Sequence, residues 1–259
     1  MKKFVFIILL ITILVLFHYN DNQAIKRKRN ARLDSPIVVL TFDDASITHY
    51  TYVAPLLKKY GFGATFFICE FPFEVPEDSS KYMSWKQIAE LNQMGFEIGN
   101  HTRSHKHVNK MSKQELYEQL RYIEIKCKEY GISKPVSFAY PGYDTSYLAL
   151  VVLQEMGYKY ARTGGNRKYN PLNDNPLLIP SYSTTGTTNE AKNRVMNILT
   201  NAKAGEIIVF TIHGVPDYAH PWVTTSPELF KDYIEYMYNR HFIVIAIRDL
   251  EKYIHHMKQ

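Results

Sequence analysis

The chain is poor in cysteine, in long hydrophobic runs and, beyond its first residues, in net charge. Cys69 and Cys127 are the only cysteines in 259 residues, which excludes a disulfide framework and is more typical of buried thiols. The apolar run from Phe4 to Phe17 has fourteen residues, whereas an untilted membrane-spanning helix needs about 20. No internal repeat or low-complexity segment is present. Apolar residues make up 46% of the chain, enough for a sizeable core.

Residues 1–35 are predicted to be a signal peptide or a membrane anchor followed by a basic linker. Lys2 and Lys3 precede the apolar run, whose length is that of a signal-peptide hydrophobic region. No convincing cleavage site of small residues follows, which leaves an uncleaved anchor open. Five lysines and arginines between residues 26 and 32 outnumber the two before the run, and the positive-inside rule alone would keep that cluster in the cytoplasm.

The basic balance of the chain is a property of this N-terminal segment. The whole chain carries a net charge of +6, and residues 1–35, with seven Lys or Arg against two Asp, contribute +5 of it. The remaining 224 residues therefore carry only +1. A nucleic-acid enzyme normally has a basic face on its folded domain, so the sequence argues against one.

The sequence from Pro36 onward predicts a single α/β domain over residues 36–259. Short apolar, β-branched runs alternate there with stretches of helical spacing, which is the pattern of βα units and of a mostly parallel sheet or barrel. Ser84 is expected to cap one helix, and Ser112 with Glu115 forms a capping box for another. The predicted strands cover residues 37–42, 64–68, 96–99, 136–140, 158–162, 177–179, 206–212 and 242–247.

Ionisable side chains directly follow three of the predicted strands. Asp43 and Asp44 follow the first, His101 and His105 the third, and His213 the seventh. Because active sites of parallel α/β folds lie at the carboxyl ends of the strands, these side chains are expected to meet. If the turn from His101 to His105 is helical or nearly so, the two imidazoles lie about 5–6 Å apart on one face and can hold one metal ion. Alone, such a pair is more often two solvated or capping histidines.

The residue types suit a hydrolytic metal centre. Two histidines and one carboxylate give a divalent ion three ligands and leave coordination positions open, which is typical of catalytic sites. A second carboxylate beside the first can act as general base, and a further histidine can protonate the leaving group. Together these groups allow the hydrolysis of an amide or an ester.

The chain resembles the polysaccharide deacetylases of carbohydrate esterase family four, which share the NodB homology domain. Residues 41–44, Thr-Phe-Asp-Asp, match that family's first motif. Residues 101–105, His-Thr-Arg-Ser-His, match its second motif, and Ile212-His213 lies at its fifth. The resemblance covers about residues 36–255.

The resemblance implies a distorted (β/α) barrel of about seven parallel strands and a divalent metal, most often zinc, with cobalt, nickel and manganese as alternatives. It also implies removal of acetyl groups from N-acetylated sugars. By position, Asp43 would be the general base and His213 the general acid. The metal ligands would be Asp44, His101 and His105.

The third motif also places the substrate contacts, and it departs from the family's pattern. Tyr140, Pro141 and Gly142 would contact the substrate, with a backbone N–H near Gly142 stabilising the oxyanion. The family usually has Arg-x-Pro-Tyr-Gly there, whereas this chain has Ala-Tyr-Pro-Gly-Tyr at residues 139–143. The arginine that would orient the base is missing. Arg162, at the end of the fifth strand, is a candidate replacement, and the alternative is a surface residue in a polar loop.

Two further motifs are altered, and several residues have more than one interpretation. The family's fourth motif is not recognisable between residues 158 and 183, and Thr211 replaces an expected leucine. The loop after His213 carries Tyr218, His220 and Trp222, which either stack on a sugar ring or pack as a lid. The other histidines are expected to lie at the surface: His49, His107, His241, His255 and His256.

The sequence therefore predicts a metal-dependent enzyme that removes N-acetyl or O-acetyl groups from a glycan. We expect it to be secreted or membrane-anchored, facing the periplasm or the cell exterior, because it would meet a polymeric substrate there. One alternative is a deformylase or deacetylase of a lipid-linked sugar, which an N-terminal anchor favours. Another is a glycan-binding relative without turnover. A metal-dependent oxygenase is disfavoured, because its carboxylate usually lies close to the first histidine.

Overall fold

The computed structural model of the protein describes residues 34–70 and 80–257. The strands are β1 (Ile37–Phe42), β2 (Thr65–Ile68), β3 (Glu97–Asn100), β4 (Ser137–Ala139), β5 (Tyr160–Arg162), β6 (Tyr182–Ser183), β7 (Ile207–Ile212) and β8 (Ile243–Ile245). The α-helices are α1 (Ala54–Tyr60), α2 (Trp85–Gln93), α3 (Lys113–Glu129), α4 (Tyr147–Glu155), α5 (Asn189–Thr200), α6 (Pro227–Asn239) and α7 (Glu251–Met257).

The strands form one curled parallel sheet. Their order is β5-β4-β3-β2-β1-β7-β6. β8 pairs with the first half of β1, and β2 pairs with the last two residues of β1, so the sheet is seven positions wide although it has eight strands. The predicted α/β barrel of about seven parallel strands is confirmed.

β1 lies at the centre of the core and is buried along its whole length. Val38 and Leu40 pack outward with residues of the surrounding helices. Ile37 and Val39 point to the opposite side, where they pack with Val209 of β7 inside the curl. This two-residue alternation buries both faces and explains why the strand is apolar except for Thr41, whose hydroxyl donates to the carbonyl of Phe210.

The serine caps predicted from the sequence are confirmed. Ser84 and Ser112 each accept a hydrogen bond from the third residue of their helix, and Gln87 and Glu115 complete the two capping boxes. Each box satisfies donors at the start of the helix that would otherwise be unpaired. The helices thus begin at positions that are determined locally.

The sixth strand does not lie where the sequence predicts it. Residues 177–179 form only a single bridge, between Ile179 and Arg162 of β5, and the strand that pairs with β7 is Tyr182–Ser183. Pro176 and Pro180 flank the predicted segment, and a proline cannot donate to a strand ladder. The chain therefore bridges β5 at Ile179 and forms the parallel strand that pairs with β7 only after Pro180. This segment links the two edges of the sheet.

The prediction of a signal peptide or anchor at residues 1–35 falls almost entirely on residues that lie outside the described part of the chain. Within residues 34–70 and 80–257, no helix has both the length and the apolar character that crossing a membrane requires. Cys69 and Cys127 are free, buried thiols.

Candidate active site

The carboxyl ends of β1, β3 and β7 bring the predicted reactive side chains to one cavity of about 430 Å³. All five of them line it: Asp43, Asp44, His101, His105 and His213. They converge because the strands are parallel and their carboxyl ends lie at the same edge of the sheet. The other lining residues are Tyr140, Gly142, Tyr143, Ser183, Thr185, His220, Trp222 and Val223.

Asp44, His101 and His105 form a compact set of potential metal ligands. One ligand atom from each lies within 4.8 Å of the other two. Oδ1 of Asp44 is 3.4 Å from Nε2 of His101 and 3.5 Å from Nε2 of His105. The same carboxylate oxygen therefore faces both imidazoles.

The hydrogen bonds around His101 show that this set fits a cation. The Nδ1–H of His101 donates to the carbonyl oxygen of Ala139 at 2.8 Å, which leaves Nε2 of the neutral ring with a lone pair facing Asp44. Two acceptors then face each other 3.4 Å apart, and a shared cation satisfies both. An imidazole whose other nitrogen donates to a backbone carbonyl is the usual form of a metal-ligating histidine.

The charges of the site also favour a cation. Burial alone would lower the pKa of His101, but the carboxylates of Asp43 and Asp44 raise it above its usual value. Burial acts against ionisation of Asp44. Without a metal ion, a proton on Nε2 of His101 takes the place of the shared cation, and its hydrogen bond and charge outweigh burial and lower the pKa of this carboxyl. Burial and His101 together lower the pKa of His105 to about 4, so its ring is neutral at pH 7 and can act as a ligand.

The turn that carries the two histidines is not helical. Thr102 and His105 have φ angles of 62° and 54°, in the left-handed region that costs a non-glycine residue about 1–2 kcal/mol. Asn100 holds the turn, since its Oδ1 accepts from the N–H of Thr102 at 3.0 Å and its Nδ2 donates to the hydroxyl of Tyr158 at 2.7 Å. The imidazoles meet edge to face with centroids 4.8 Å apart, so a strained turn provides the proximity that a helix would have provided.

Asp43 is paired with Arg162, which sequence reasoning named only as a candidate. Nη2 of Arg162 lies 2.5 Å from each carboxylate oxygen of Asp43, and the guanidinium is fully buried. Burial acts to raise the pKa of Asp43, but Arg162 and the neighbouring imidazoles outweigh it, so that the pKa lies below its usual value. Arg162 is therefore not a surface residue, and Asp43 is an ionised carboxylate with a fixed orientation.

His213 faces the set of potential metal ligands, and the side chain of His49 hydrogen-bonds to its backbone. Nε2 of His213 is 3.7 Å from Oδ2 of Asp44, and its backbone carbonyl accepts from the Nε2–H of His49 at 3.2 Å. His49 is fully buried, so the prediction that it lies at the surface is wrong. The sequence contained a sign of this, because His49 stands four and eight residues before the apolar Val53 and Leu57, a spacing that favours one shared face.

The three residues predicted to contact the substrate have different positions. Tyr140 and Gly142 line the cavity, whereas Pro141 is buried and does not. The N–H of Tyr143 donates to the carbonyl of Tyr140 at 3.0 Å, but the N–H of Gly142 has no partner within the described residues. Gly142 therefore offers an unused backbone donor at the cavity wall.

His107 is 38% exposed and is held against the Gly142 turn. Its Nδ1 lies 2.8 Å from Oδ2 of Asp144, and Asn109 donates to the same oxygen at 2.9 Å. A Cβ atom at position 142 would lie only 2.3 Å from Cε1 of His107. The ring thus requires a glycine there, where φ is 61°.

Cys69 is a neighbour of the site that sequence reasoning did not place there. Its thiol donates to Oδ1 of Asp44 with an S–O distance of 3.7 Å. Burial, together with the carboxylates of Asp44 and Asp43, raises the pKa of this thiol well above its usual value. Cys69 is therefore a protonated donor to Asp44, and it lies outside the compact set of potential ligands.

The comparison with known families agrees with this geometry. A family model described as polysaccharide deacetylase matches residues 30–161, half of the chain. The chain belongs to the polysaccharide deacetylase family. The peptidoglycan-N-acetylglucosamine deacetylase of Bacillus cereus is 29% identical to this family member over 124 residues, which are 48% of this chain and 54% of that protein. The match thus spans about half the length of that relative.

Solved structures show the same fold over most of the chain. A Mycobacterium smegmatis protein assigned to the polysaccharide deacetylases has a TM-score of 0.65 at 14% identity, covering 87% of this chain and 92% of that one. A family 4 acetyl xylan esterase from Clostridium thermocellum, solved with a cobalt ion, has a TM-score of 0.58 at 21% identity over 83% of this chain and 89% of that one. At such identities the likeness shows the fold.

Proposed function

We propose that this protein is a metal-dependent hydrolase that removes acetyl groups from an N-acetylated carbohydrate. Its family supports deacetylation of a carbohydrate. One observation carries the finer proposal: a three-residue ligand set lies beside a second carboxylate, Asp43, that a buried arginine keeps ionised. Metal binding alone would need only the ligand set, whereas hydrolysis also needs a base at that position.

Asp44, His101 and His105 would hold the divalent ion, for which we propose zinc. An ion bound there would supply Lewis acidity to the acyl group and lower the pKa of water. The cobalt ion in the Clostridium thermocellum esterase supports a first-row metal in proteins of this fold. Nitrogen and oxygen ligands of this kind also suit cobalt, nickel and manganese.

The other side chains divide the proton transfers between them. Asp43 accepts a proton from the attacking water while the water oxygen forms its bond to the acyl carbon. The N–H of Gly142 donates to the acyl oxygen as negative charge develops there. His213 then protonates the nitrogen as the C–N bond breaks, which yields acetate and a free amine.

We further propose an acetylated glycan of the cell envelope or exterior as the substrate, and a protein that residues 1–35 export or anchor. The Bacillus cereus relative is named for peptidoglycan N-acetylglucosamine, which supports a glycan of that kind as the first substrate to test. A lipid-linked sugar is the second, because an N-terminal anchor would keep the site close to a membrane.

Acetate release from a panel of glycans tests the proposal. The panel contains peptidoglycan, an N-acetylglucosamine oligomer, acetylated xylan and a formylated amino sugar. We expect acetate from at least one N-acetylated member, loss of activity with a chelator, recovery with zinc, and a rate at least 100-fold lower for Asp43→Asn.

Other outcomes would assign a different function. Free amine from the formylated sugar alone would identify a deformylase. Glycan binding without product at saturating zinc or cobalt would identify a binding protein and contradict the proposal.

A further inference from the structure

The cavity has one wall whose function the proposed chemistry does not explain. Trp222 lines it with 73% of its side chain exposed. A single exposed apolar side chain is ordinary on a protein surface, so exposure alone carries little weight. The position of Trp222 at the mouth of a reactive cavity, and the way its loop is held, carry more.

The loop between His213 and Ser226 is held from within by Asp217. Its buried carboxylate accepts from the N–H of Gly214 at 2.9 Å and from the N–H of His220 at 2.7 Å. The N–H of Asp217 donates to the hydroxyl of Thr224 at 2.8 Å. The backbone on both sides of Trp222 is therefore tied to one residue.

The same loop is attached to the barrel at both ends. The hydroxyl of Thr48 accepts from the N–H of Val215 at 2.9 Å and donates to the carbonyl of Pro216 at 3.0 Å. At the other end, the N–H of Gly186 donates to the carbonyl of Thr224 at 2.8 Å. Trp222 is thus presented on a rigid support, which lowers the entropy lost when a ligand binds.

His220 connects the indole to the reactive groups. Its ring packs edge to face on Trp222 with centroids 5.3 Å apart, and Tyr82 contacts the same imidazole at 6.2 Å. Nδ1 of His220 lies 3.9 Å from Oδ2 of Asp44. Only one imidazole therefore separates the indole from the ligand set.

We propose that Trp222 is a glycan-binding residue that stacks on a sugar ring of the substrate at the mouth of the cavity. This proposal rests on the proposed function and adds a subsite to it. A pyranose ring has an apolar face of C–H groups that matches an indole in size, and its hydroxyls stay in water at the edges. A rigid aromatic wall beside a few polar groups is the usual composition of a ligand site.

Kinetics with the metal-loaded full chain and an N-acetylglucosamine tetramer test this subsite. We expect Trp222→Ala to raise KM about tenfold, which corresponds to about 1.4 kcal/mol, while kcat changes by less than about twofold because no reacting atom is touched. Trp222→Phe keeps an aromatic face and should restore most of the affinity. Tyr218→Ala is the matched control, since Tyr218 lies in the same loop, is 60% exposed and does not line the cavity.

Fluorescence gives a readout that does not depend on turnover. The chain has only two tryptophans, so Trp222→Phe leaves Trp85 as the sole reporter. The tetramer should change the emission of the wild-type chain in a saturable way, and this change should disappear in Trp222→Phe.

The outcomes separate this proposal from the proposed function. Acetate release with a wild-type KM in Trp222→Ala would overturn the subsite and leave the deacetylase standing. A saturable fluorescence change without acetate release would support the subsite and overturn the deacetylase. A response to phosphatidylglycerol vesicles but not to the tetramer would overturn the subsite in favour of membrane contact.

Discussion

Arg162 contacts Asp43 although 119 positions separate them in the chain. Its Nε and Nη1 have no hydrogen-bond partner within the described residues. The rings of Phe67 and Tyr143 compensate, each with its centroid 5.5 Å from the guanidinium carbon, because a cation over an aromatic face is stabilised electrostatically. The guanidinium is thus held by one carboxylate and two rings, and it pairs with the carboxylate that the missing third-motif arginine was expected to orient.

Replacing Arg162 should affect both stability and activity. Arg162→Ala leaves the carboxylate of Asp43 buried and unpaired, so we expect the free energy of unfolding to fall by about 3–5 kcal/mol. We expect kcat to fall at least 100-fold, because the base loses its orientation and its ionised form. Metal content should stay at the wild-type level, since the ligand set is intact. Urea denaturation, acetate release and metal analysis measure the three quantities.

The control for Arg162 is a surface arginine that also pairs with an aspartate. Arg167 pairs with Asp174, and its side chain is 54% exposed, so Arg167→Ala should cost less than about 1 kcal/mol and leave kcat unchanged. A wild-type kcat in Arg162→Ala would remove Arg162 from the mechanism.

Alanine substitutions at Gly142 and Gly61 distinguish the effect of backbone strain from that of contact with His107. Gly142→Ala places a Cβ 2.3 Å from the imidazole at φ 61°, whereas Gly61→Ala places one in open space at φ 67°. Both variants should lose about 1 kcal/mol of unfolding free energy, because alanine is strained in this conformation. Gly142→Ala should lose more than Gly61→Ala, because its Cβ also displaces the His107 ring. Only Gly142→Ala should lose kcat, by about tenfold or more, as the backbone donor moves.

A second substitution tests the cause of that loss. Gly142→Ala combined with His107→Ala makes room for the new Cβ and should recover part of the rate. Equal rates in the single and double variants would show that the imidazole does not position the turn.

At the scale of elements, the turn that follows β1 also contacts the carboxyl end of β7. Residues His49–Val53 form a π-helical turn before α1, and such widened turns often occur at functional sites. The turn buries the His49 ring between those of Phe42 and Phe66, at centroid distances of 5.3 and 5.5 Å. The end of β7 therefore rests on the first turn after β1 through the His49 hydrogen bond.

This arrangement predicts a dependence of stability on pH. Burial lowers the pKa of His49 to about 4, although the hydrogen bond to His213 acts to raise it. Between about pH 4 and the unfolded value near 6.5, the unfolded chain binds more protons, so the free energy of unfolding rises with pH. This residue alone accounts for at most about 3 kcal/mol of that rise.

Denaturation in urea from pH 4 to pH 7 measures the effect. A chelator is included so that metal binding does not contribute. His49→Gln should have a shallower pH dependence than the wild type, and the exposed-residue control His241→Asn should match the wild type. Equal slopes in all three proteins would show that His49 is not the titrating group.

At the scale of the molecule, the carboxyl end of the barrel carries the candidate site, whereas the amino end carries a buried hydrogen-bond network that stabilises the fold. Glu97 begins β3 at the amino end, where its buried carboxylate accepts from Thr65 and Ser137, both at 2.6 Å, and from the N–H of Arg248 at 2.9 Å. Burial raises the pKa of this carboxyl despite these donors. Glu97 thus joins β2, β3, β4 and the turn after β8, about 13 Å along the strand from His101.

Substitution at this end should change stability without changing the chemistry. Glu97→Ala leaves two buried hydroxyl donors and the part-buried N–H of Arg248 without this partner. Each buried donor is worth about 1–3 kcal/mol, so we expect the free energy of unfolding to fall by at least about 3 kcal/mol. The kcat of the folded fraction should stay within about twofold of the wild type, as for a bottom-face residue of a barrel. Glu97→Gln keeps the shape and should lose less. A fall in kcat as large as that of Arg162→Ala would contradict the separation of the two ends.

The sequence by itself determined where most strands and helices lie and which side chains stand at the strand ends. These features depend on interactions over a few residues, such as the Ser112–Glu115 capping box and the alternation in β1 that stops at Asp43. Parallel strands then bring their carboxyl ends together whatever their order. For this reason the local pattern of residues is sufficient to name the five side chains of the candidate site.

Only the tertiary structure decided which residues pair across the barrel. The contact between Arg162 and Asp43, the burial of His49 under His213 and the stacking of His107 on Gly142 all join separate segments. The pairing of the sixth strand with β7 also depends on how the sheet curls, although Pro176 and Pro180 were a local sign against a strand at residues 177–179. Such contacts follow from strand order and register, which no local pattern of residues contains.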